Sequence, residues 1–119
     1  MTSKEFADLI FPNITKSITD YENMYPERDL EEGAIVTRYA PSPTGLPHMG
    51  NLLSCFMAKS FARQTNGIFF LRIEDTDTQR TVENGTSKIL DVLEKFDITF
   101  DEGMVNDNDE KGNYGPYLQ

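Results

Sequence analysis

The sequence predicts an α/β protein built around a parallel strand–helix–strand unit, and three features predict it. A short apolar strand, residues 35–39, leads through a loop rich in Pro and Gly into an apolar-periodic helix. Asn66-Gly67 is a typical left-handed stop for that helix, and a second apolar strand follows at residues 68–73. Two strands joined by a helix are expected to run parallel. Polar residues gather after both strands, at the edge where open α/β sheets bind their ligands.

A helical arm is expected before this unit. Thr2-Ser3-Lys4-Glu5 has the pattern of a capping box, and apolar residues then follow helical spacing in two pieces separated by Pro12. Stripes of this kind usually pack into a core, so we expect packing from the arm and no chemistry. The polar run from Pro26 to Gly33 is typical of a linker. Two units are therefore predicted: a helical extension over 1–33 and an α/β portion over 34–119.

The remaining segments are predicted from their apolar spacing. The helix after Gly50 should present one broad apolar face, formed by Leu52, Leu53, Phe56, Met57 and Phe61. Another amphipathic helix is predicted over 82–96, and residues 98–100 have the pattern of a brief strand. Beyond Asp101 the chain is acidic and rich in Gly and Asn, so we expect it to be loose, with no closing strand. A complete sheet of this class needs more strands, and we expect the sequence to be the front piece of a longer protein.

Composition excludes several classes of protein. The chain has 119 residues, of which 38% are apolar, enough for one modest domain. No apolar run is long enough to span a membrane and no secretory signal is visible, so a cytoplasmic location is expected. The single cysteine, Cys55, excludes an intramolecular disulfide and a cysteine metal cluster.

Charge is distributed unevenly along the chain. The net charge of −9 argues against a generic nucleic-acid binder. Residues 1–33 carry −5, residues 34–73 carry +4 without any acidic residue, and residues 74–119 carry −8. The acid-free stretch suits an anionic ligand such as a nucleotide phosphate or an amino-acid carboxylate. The alternative is that a buried strand and a packed helix simply avoid charge.

The residues His48-Met49-Gly50-Asn51 open the central helix and form the first candidate site. A helix N-terminus offers unpaired N–H groups and a partial positive charge, which make it a ready anion site. Gly50 lets a ligand approach the backbone closely, and His48 can donate a hydrogen bond to a phosphate oxygen. A four-residue pattern on its own is more often a lone histidine that caps a helix.

Longer strings resemble those of a known family. Arg-Tyr-Ala-Pro-Ser-Pro-Thr-Gly at 38–45, followed by His-Met-Gly-Asn at 48–51, is similar to the opening of bacterial glutamyl-tRNA synthetases, which are class I aminoacyl-tRNA synthetases. Leu-Arg-Ile-Glu-Asp-Thr-Asp at 71–77, Arg80 and the tail at 114–119 continue the resemblance at matching spacing. The resemblance covers Val36 to Gln119, whereas the arm resembles an extension carried by only some members.

The resemblance implies a fold and an activity. The fold is the N-terminal half of a Rossmann-like nucleotide-binding domain, with residues 34–119 as the front portion of a class I catalytic domain. The activity is ligation of glutamate to tRNA(Glu): glutamate and ATP, the latter with Mg²⁺, form glutamyl-adenylate, and tRNA then takes the acyl group. A full-length member is expected to be a monomer without a membrane partner.

The resemblance also assigns roles by position. Arg38 would bind the side-chain carboxylate of glutamate, for which its planar fork is suited, and Glu74 would pair with the α-ammonium. Ser42 would complete this amino-acid site. The positions implied for ATP binding are Thr44, Gly45, His48, Gly50 and Asn51. The last three are also the implied catalytic positions, and no protein metal ligand is implied. The simpler alternatives are a surface ion pair for Arg38 and a helix-capping acid for Glu74.

The sequence departs from the family pattern in places. Asn51 stands where the strict signature ends in His, and Leu53-Ser54 stand where the family usually has Arg-Thr. The Ile-Glu-Asp-Thr-Asp string favours the glutamyl over the glutaminyl branch. The second class I signature, a Lys-Leu-Ser-Lys type of loop, is absent from the 119 residues. We therefore expect half an active site, and no appreciable activity from these residues alone.

Three other functions remain open at this point. A shortened glutamyl-queuosine tRNA synthetase-like paralogue, which glutamylates a modified base in tRNA, shares these strings. A non-catalytic binding or regulatory module could have kept the fold and lost the second signature. A small-molecule nucleotidyltransferase with a similar His-x-Gly-x element is disfavoured by the amino-acid-site string.

Overall fold

A computed structural model describes residues 1–76 and 80–119. Its helices are α1 (Ser3–Ile10), α2 (Ile18–Met24), α3 (Met49–Gln64) and α4 (Gly85–Lys95). Its strands are β1 (Val36–Tyr39), β2 (Ile68–Leu71), β3 (Glu102–Met104) and β4 (Glu110–Lys111), which form one sheet in the order β1-β2-β3-β4. Within the described residues, no helix is both long and apolar enough to cross a membrane.

The sheet contains the predicted parallel β1–α3–β2 unit, called here the βαβ unit. β1 pairs parallel with β2, and Val36 lies opposite Ile68. Asn66 is left-handed, with φ 52°, at the end of α3 as the sequence predicts. The strand predicted over 68–73 is shorter, because β2 ends at Leu71 and Ile73 instead forms an isolated parallel bridge with Leu118. The predicted helix over 82–96 is likewise confirmed in part, as α4.

The region after Asp101 is ordered, so the prediction of a loose tail was wrong. β3 pairs parallel with β2, and β4 pairs antiparallel with β3. The strand predicted over 98–100 was also wrong, because pairing begins where the Asp101 N–H donates to the Phe69 carbonyl at 2.8 Å. Gly103 allows the close approach of β3, since a Cβ there would lie 2.3 Å from the Leu71 oxygen.

Helix α3 buries only one of the five residues of its predicted apolar face, Leu52. Its buried residues are Leu52, Cys55 and Ala62. The four other predicted face residues are at least half exposed: Leu53, Phe56, Met57 and Phe61. Small side chains on the sheet side let the helix approach β1 and β2, and the Thr37 hydroxyl donates to the Ala58 carbonyl at 2.7 Å. The other four large apolar side chains of the predicted face therefore stay outside the core.

The arm forms its two predicted helical pieces without packing them. Glu5 N–H donates to the Thr2 hydroxyl at 3.2 Å and Thr2 N–H donates to the Glu5 carboxylate at 2.6 Å, which confirms the capping box. Ser17 and Asp20 form a second box at the start of α2. None of the described residues of α1 and α2 is buried, so the expectation of core packing was wrong. Capping boxes satisfy the N-terminal ends of both helices.

Candidate functional site

The first turn of α3 is organised by His48, which is its N-cap residue. The Gly50 N–H donates to His48 Nδ1 at 3.1 Å, and the His48 N–H donates to Asn51 Oδ1 at 3.2 Å. Because Nδ1 is an acceptor, the proton of the neutral ring lies on Nε2, which is then its donor. A Cβ on residue 50 would lie 3.0 Å from His48 Cε1, so glycine leaves room for the ring over this turn.

A cavity of about 390 Å³ lies between the loop after β1 and this turn. It is lined by most of the residues that sequence similarity places on ATP: Thr44, Gly45, His48 and Asn51. Gly50 lies against the His48 ring. Ser42 also lines this cavity, so the structure places it with the ATP positions, whereas Arg38 lines another cavity.

Arg38 and Glu74 form an ion pair at the carboxyl ends of β1 and β2. Arg38 Nη1 lies 3.0 Å from Glu74 Oε1, and Arg72 Nη1 lies 3.5 Å from the same oxygen. Two guanidinium groups thus share one carboxylate, and the local net charge of +1 attracts an anion. The Arg38 side chain is 48% exposed and therefore accessible to a ligand.

Arg38 and Arg72 line a second cavity, of about 360 Å³, together with Tyr25, Phe70 and residues 114–117. Successive side chains of a strand point to opposite faces. Tyr39 is buried in the core beneath α3, so Arg38 projects from the other face of the sheet. The sequence patterns assigned no role to Arg72 or Tyr25. The positive charge of Arg72, two residues before Glu74, was the signal that could have indicated a role for it.

Backbone hydrogen bonds join the two parts of the site. The Glu74 N–H donates to the Pro41 carbonyl at 2.9 Å, and the Arg72 N–H donates to the Tyr39 carbonyl at 3.0 Å. The segment after β2 therefore lies along the loop after β1, so both predicted polar clusters occupy one edge of the sheet. The start of α4 supports this loop, because a Cβ on Gly85 would lie 2.7 Å from the Pro43 oxygen.

Two further polar groups, those of Tyr39 and Asp75, lie near the loop. Burial raises the pKa of Tyr39 to about 12, and its hydroxyl has no hydrogen-bond partner within residues 1–76 and 80–119. Asp75, in the acidic cluster after β2, accepts a hydrogen bond from the Thr81 hydroxyl. Asp77, quoted above as part of that cluster, lies outside the described residues.

A larger cleft, of about 570 Å³, lies between α4 and the β3–β4 hairpin. Its lining includes three carboxylates, Asp91, Glu94 and Asp97, which would repel a phosphate or a carboxylate ligand. In the part of the chain that the structure describes, no group of His, Cys, Asp and Glu side chains is arranged to hold a metal ion. The anion-binding chemistry is therefore concentrated at the edge formed by β1, β2 and α3.

The mostly parallel sheet and the loop leading into the α3 N-terminus define a Rossmann-like α/β protein. A statistical model of the family described as tRNA synthetases class I (E and Q), catalytic domain, matches residues 34–119, and the chain belongs to this family. The fold class and the resemblance predicted from the motifs are thereby confirmed.

Individual relatives agree with the family match. The chain is 52% identical over its whole length to a glutamate–tRNA ligase of Acetivibrio thermocellus and 48% identical to one of Clostridium perfringens strain 13. It spans 22% of each, so it corresponds to about a fifth of these curated relatives. It is also similar to a crystal structure of a glutamate tRNA ligase from Elizabethkingia meningosepticum in complex with its amino acid. That similarity has 39% identity and a TM-score of 0.64, and covers 71% of this chain and 16% of the other.

Proposed function

We propose that this chain is the glutamate- and ATP-binding front part of a cytoplasmic, monomeric glutamate–tRNA ligase. Residues 34–119 would be the first portion of its catalytic domain and residues 1–33 an extension that precedes it. The observation that carries the proposal is the Arg38–Glu74 pair at 3.0 Å, joined by backbone hydrogen bonds to the loop that leads to His48. This arrangement offers separate partners for the charged groups of glutamate and for a phosphate.

The Arg38–Glu74 pair is suited to a substrate that carries both charges. Glutamate has an α-ammonium group and two carboxylates, so it can replace one ion pair with two. Its side-chain carboxylate would bind the guanidinium group of Arg38, and its ammonium would pair with Glu74. Arg72 would continue to balance the charge of Glu74. Substrate kinetics distinguish this role of the Arg38–Glu74 pair from that of a surface ion pair.

The α3 N-terminus is suited to the phosphates of ATP. The helix dipole and the Nε2–H of His48 would stabilise negative charge in the cavity lined by Thr44, Gly45 and Asn51. The α-carboxylate oxygen of glutamate would attack the α-phosphorus of ATP, and the bond to the leaving pyrophosphate would break. Mg²⁺ would arrive bound to the phosphates. The acyl group would then pass to the terminal hydroxyl of tRNA(Glu), and AMP would leave.

Substitution of Arg38 in a full-length ligase that carries this segment tests the proposal. Arg38→Ala should raise the glutamate KM by at least roughly 30-fold, about 2 kcal/mol, and leave the ATP KM nearly unchanged. Glutamate-dependent pyrophosphate exchange measures both constants. Arg63→Ala is a matched control, because Arg63 is 42% exposed and pairs with Asp101 at 2.9 Å but lies in the last turn of α3.

Equal glutamate kinetics in the Arg38→Ala and Arg63→Ala variants would show that Arg38 forms only a surface ion pair. The acceptor distinguishes the remaining alternatives. The proposed ligase transfers glutamate to the 3′ end of tRNA(Glu), whereas the shortened paralogue would modify a base within a tRNA. A binding module would catalyse neither exchange nor transfer.

A further inference from the structure

We infer that Arg28, in the segment after α2, is a positioning residue for the glutamate site. Through Glu102 and Tyr117 it fixes the chain beside Glu74 and one wall of the cavity that contains Arg38. The inference rests on the proposed function, because it concerns the same amino-acid site. The three residues Arg28, Glu102 and Tyr117 are called the Arg28 clasp below.

The first contact of the clasp joins Arg28 to Glu102 on β3. Both Nη atoms of Arg28 donate to the carboxylate, with Nη2 at 2.7 Å from Oε2, so the pair is bidentate. The side chains are only 18% and 13% exposed. The guanidinium also lies 3.8 Å from the centre of the Tyr114 ring. A partly buried, bidentate and stacked arginine has a defined geometry that a surface lysine would not reproduce.

The second contact joins Glu102 to the tail. The Tyr117 hydroxyl donates to Glu102 Oε2 at 2.7 Å, and it accepts from the Tyr114 N–H at 3.0 Å. Tyr117 is buried, at 2% exposed, and its ring meets Phe70 of β2 edge to face, with ring centres 6.2 Å apart. Arg28 therefore orients the carboxylate that in turn holds the tail tyrosine.

The third contact joins the tail to the residue before Glu74. The Ile73 N–H donates to the Tyr117 carbonyl at 2.8 Å, and the Gln119 N–H donates to the Ile73 carbonyl at 3.0 Å. Residues 117–119 thus continue the sheet beside Ile73, beyond the end of β2. Displacement of Tyr117 would move Ile73 and with it the Glu74 carboxylate.

The segment that contains Tyr25 and Pro26, at the end of α2, also contacts the tail at this cavity. The Tyr25 hydroxyl donates to the Gly115 carbonyl at 2.9 Å, and the Tyr114 hydroxyl donates to the Pro26 carbonyl at 2.8 Å. Tyr25 and residues 114–117 line the same cavity as Arg38. Loss of the clasp should loosen this wall while β1, β2 and α3 stay packed, because the contacts between those elements do not involve Arg28.

The test compares Arg28→Ala, Arg28→Lys and Glu102→Gln with Arg63→Ala in a full-length ligase that carries this segment. Displacement of the Glu74 carboxylate would weaken its charged contact with the α-ammonium, so we expect the glutamate KM to rise on the order of tenfold in Arg28→Ala. The ATP KM should change less than about twofold, since His48 and its loop do not touch the clasp. Arg28→Lys should restore only part of the effect, because it keeps the charge without the fork.

Equal increases in the glutamate and ATP KM values, or a lower melting temperature with unchanged kinetics, would overturn the inference. If Arg28→Ala does not fold, Glu102→Gln carries the test, since it keeps the shape of the side chain and removes its charge. The effects of the two changes should be less than additive in the double variant, because both break the Arg28–Glu102 pair. If Arg38→Ala raises the glutamate KM and Arg28→Ala does not, this inference alone is refuted. If Arg38→Ala leaves the glutamate KM unchanged, the proposed function is refuted.

Discussion

The N-terminal arm and the βαβ unit both carry helices with regularly spaced apolar residues, yet they use them differently. In α1, Phe6 and Leu9 are 54% and 69% exposed. In α3, Leu52 and Cys55 are buried against the sheet. Both arm helices begin with complete capping boxes, so their ends are satisfied by local side chains. Apolar spacing and caps therefore specify that a helix forms, and only a partner surface specifies which side chains are buried.

The strongest way to sharpen this comparison is to truncate one phenylalanine in each region. Phe69 on β2 is completely buried, whereas Phe6 on α1 is more than half exposed. Phe69→Ala should lower the free energy of unfolding by roughly 3–5 kcal/mol, because it leaves a cavity in the core. Phe6→Ala should change it by less than about 0.5 kcal/mol. Urea denaturation followed by fluorescence or circular dichroism measures both, and equal losses would show that the arm is packed.

The next largest effect is expected at Glu102 on β3, which binds Arg28 in the segment between the arm helices and β1. The hydrogen bonds from Arg28, and then that from Tyr117, hold the pKa of Glu102 below its ordinary value of 4.5. The folded protein therefore binds the proton less readily than the unfolded chain. The stabilisation is complete above pH 4.5 and is lost as the pH falls through the lowered pKa.

Glu102→Gln should remove this pH dependence and cost about 1.5–3 kcal/mol at neutral pH, where the charged hydrogen bonds are at full strength. Unfolding curves of both proteins between pH 3 and 7 would measure it. Parallel stability profiles for wild type and variant would contradict the assignment of this acid dependence to Glu102.

The smallest effect is expected from the local caps of the arm. Thr2→Ala removes the hydroxyl that accepts the Glu5 N–H, and it should weaken α1 by about 1 kcal/mol. Because α1 is not packed, the loss should reduce helical circular dichroism without changing the urea midpoint of the core. A shift of that midpoint would mean that α1 is coupled to the sheet.

The sequence predicted the βαβ unit well, because its strands, loop and helix are adjacent in the chain and each carries its own pattern. The edge that holds Arg38, Glu74 and His48 followed from that topology. The β3–β4 hairpin could not be predicted, since β3 has three residues including a charged one and Gly103. Its position depends on Asp101 meeting Phe69, 32 residues away.

Other features also depend on contacts that sequence patterns do not show. Arg28 and Glu102 are 74 residues apart, and neither segment carries a pattern that pairs it with the other. The buried face of α3 was misjudged because large apolar residues were expected inside, whereas small ones allow the helix to approach the sheet. Ser42 lies in the cavity beside His48 because the loop turns at the buried Pro43, which α4 supports.

The central claim is that Arg38 and Glu74 exchange their mutual ion pair for the charges of glutamate. A crystal structure of a full-length ligase that carries this segment, bound to glutamate and a non-hydrolysable ATP analogue, tests it most directly. The account predicts that the side-chain carboxylate of glutamate contacts the Arg38 guanidinium, that the ammonium contacts Glu74, and that the α-phosphate lies at the α3 N-terminus beside His48. An intact Arg38–Glu74 pair with glutamate bound elsewhere would contradict it.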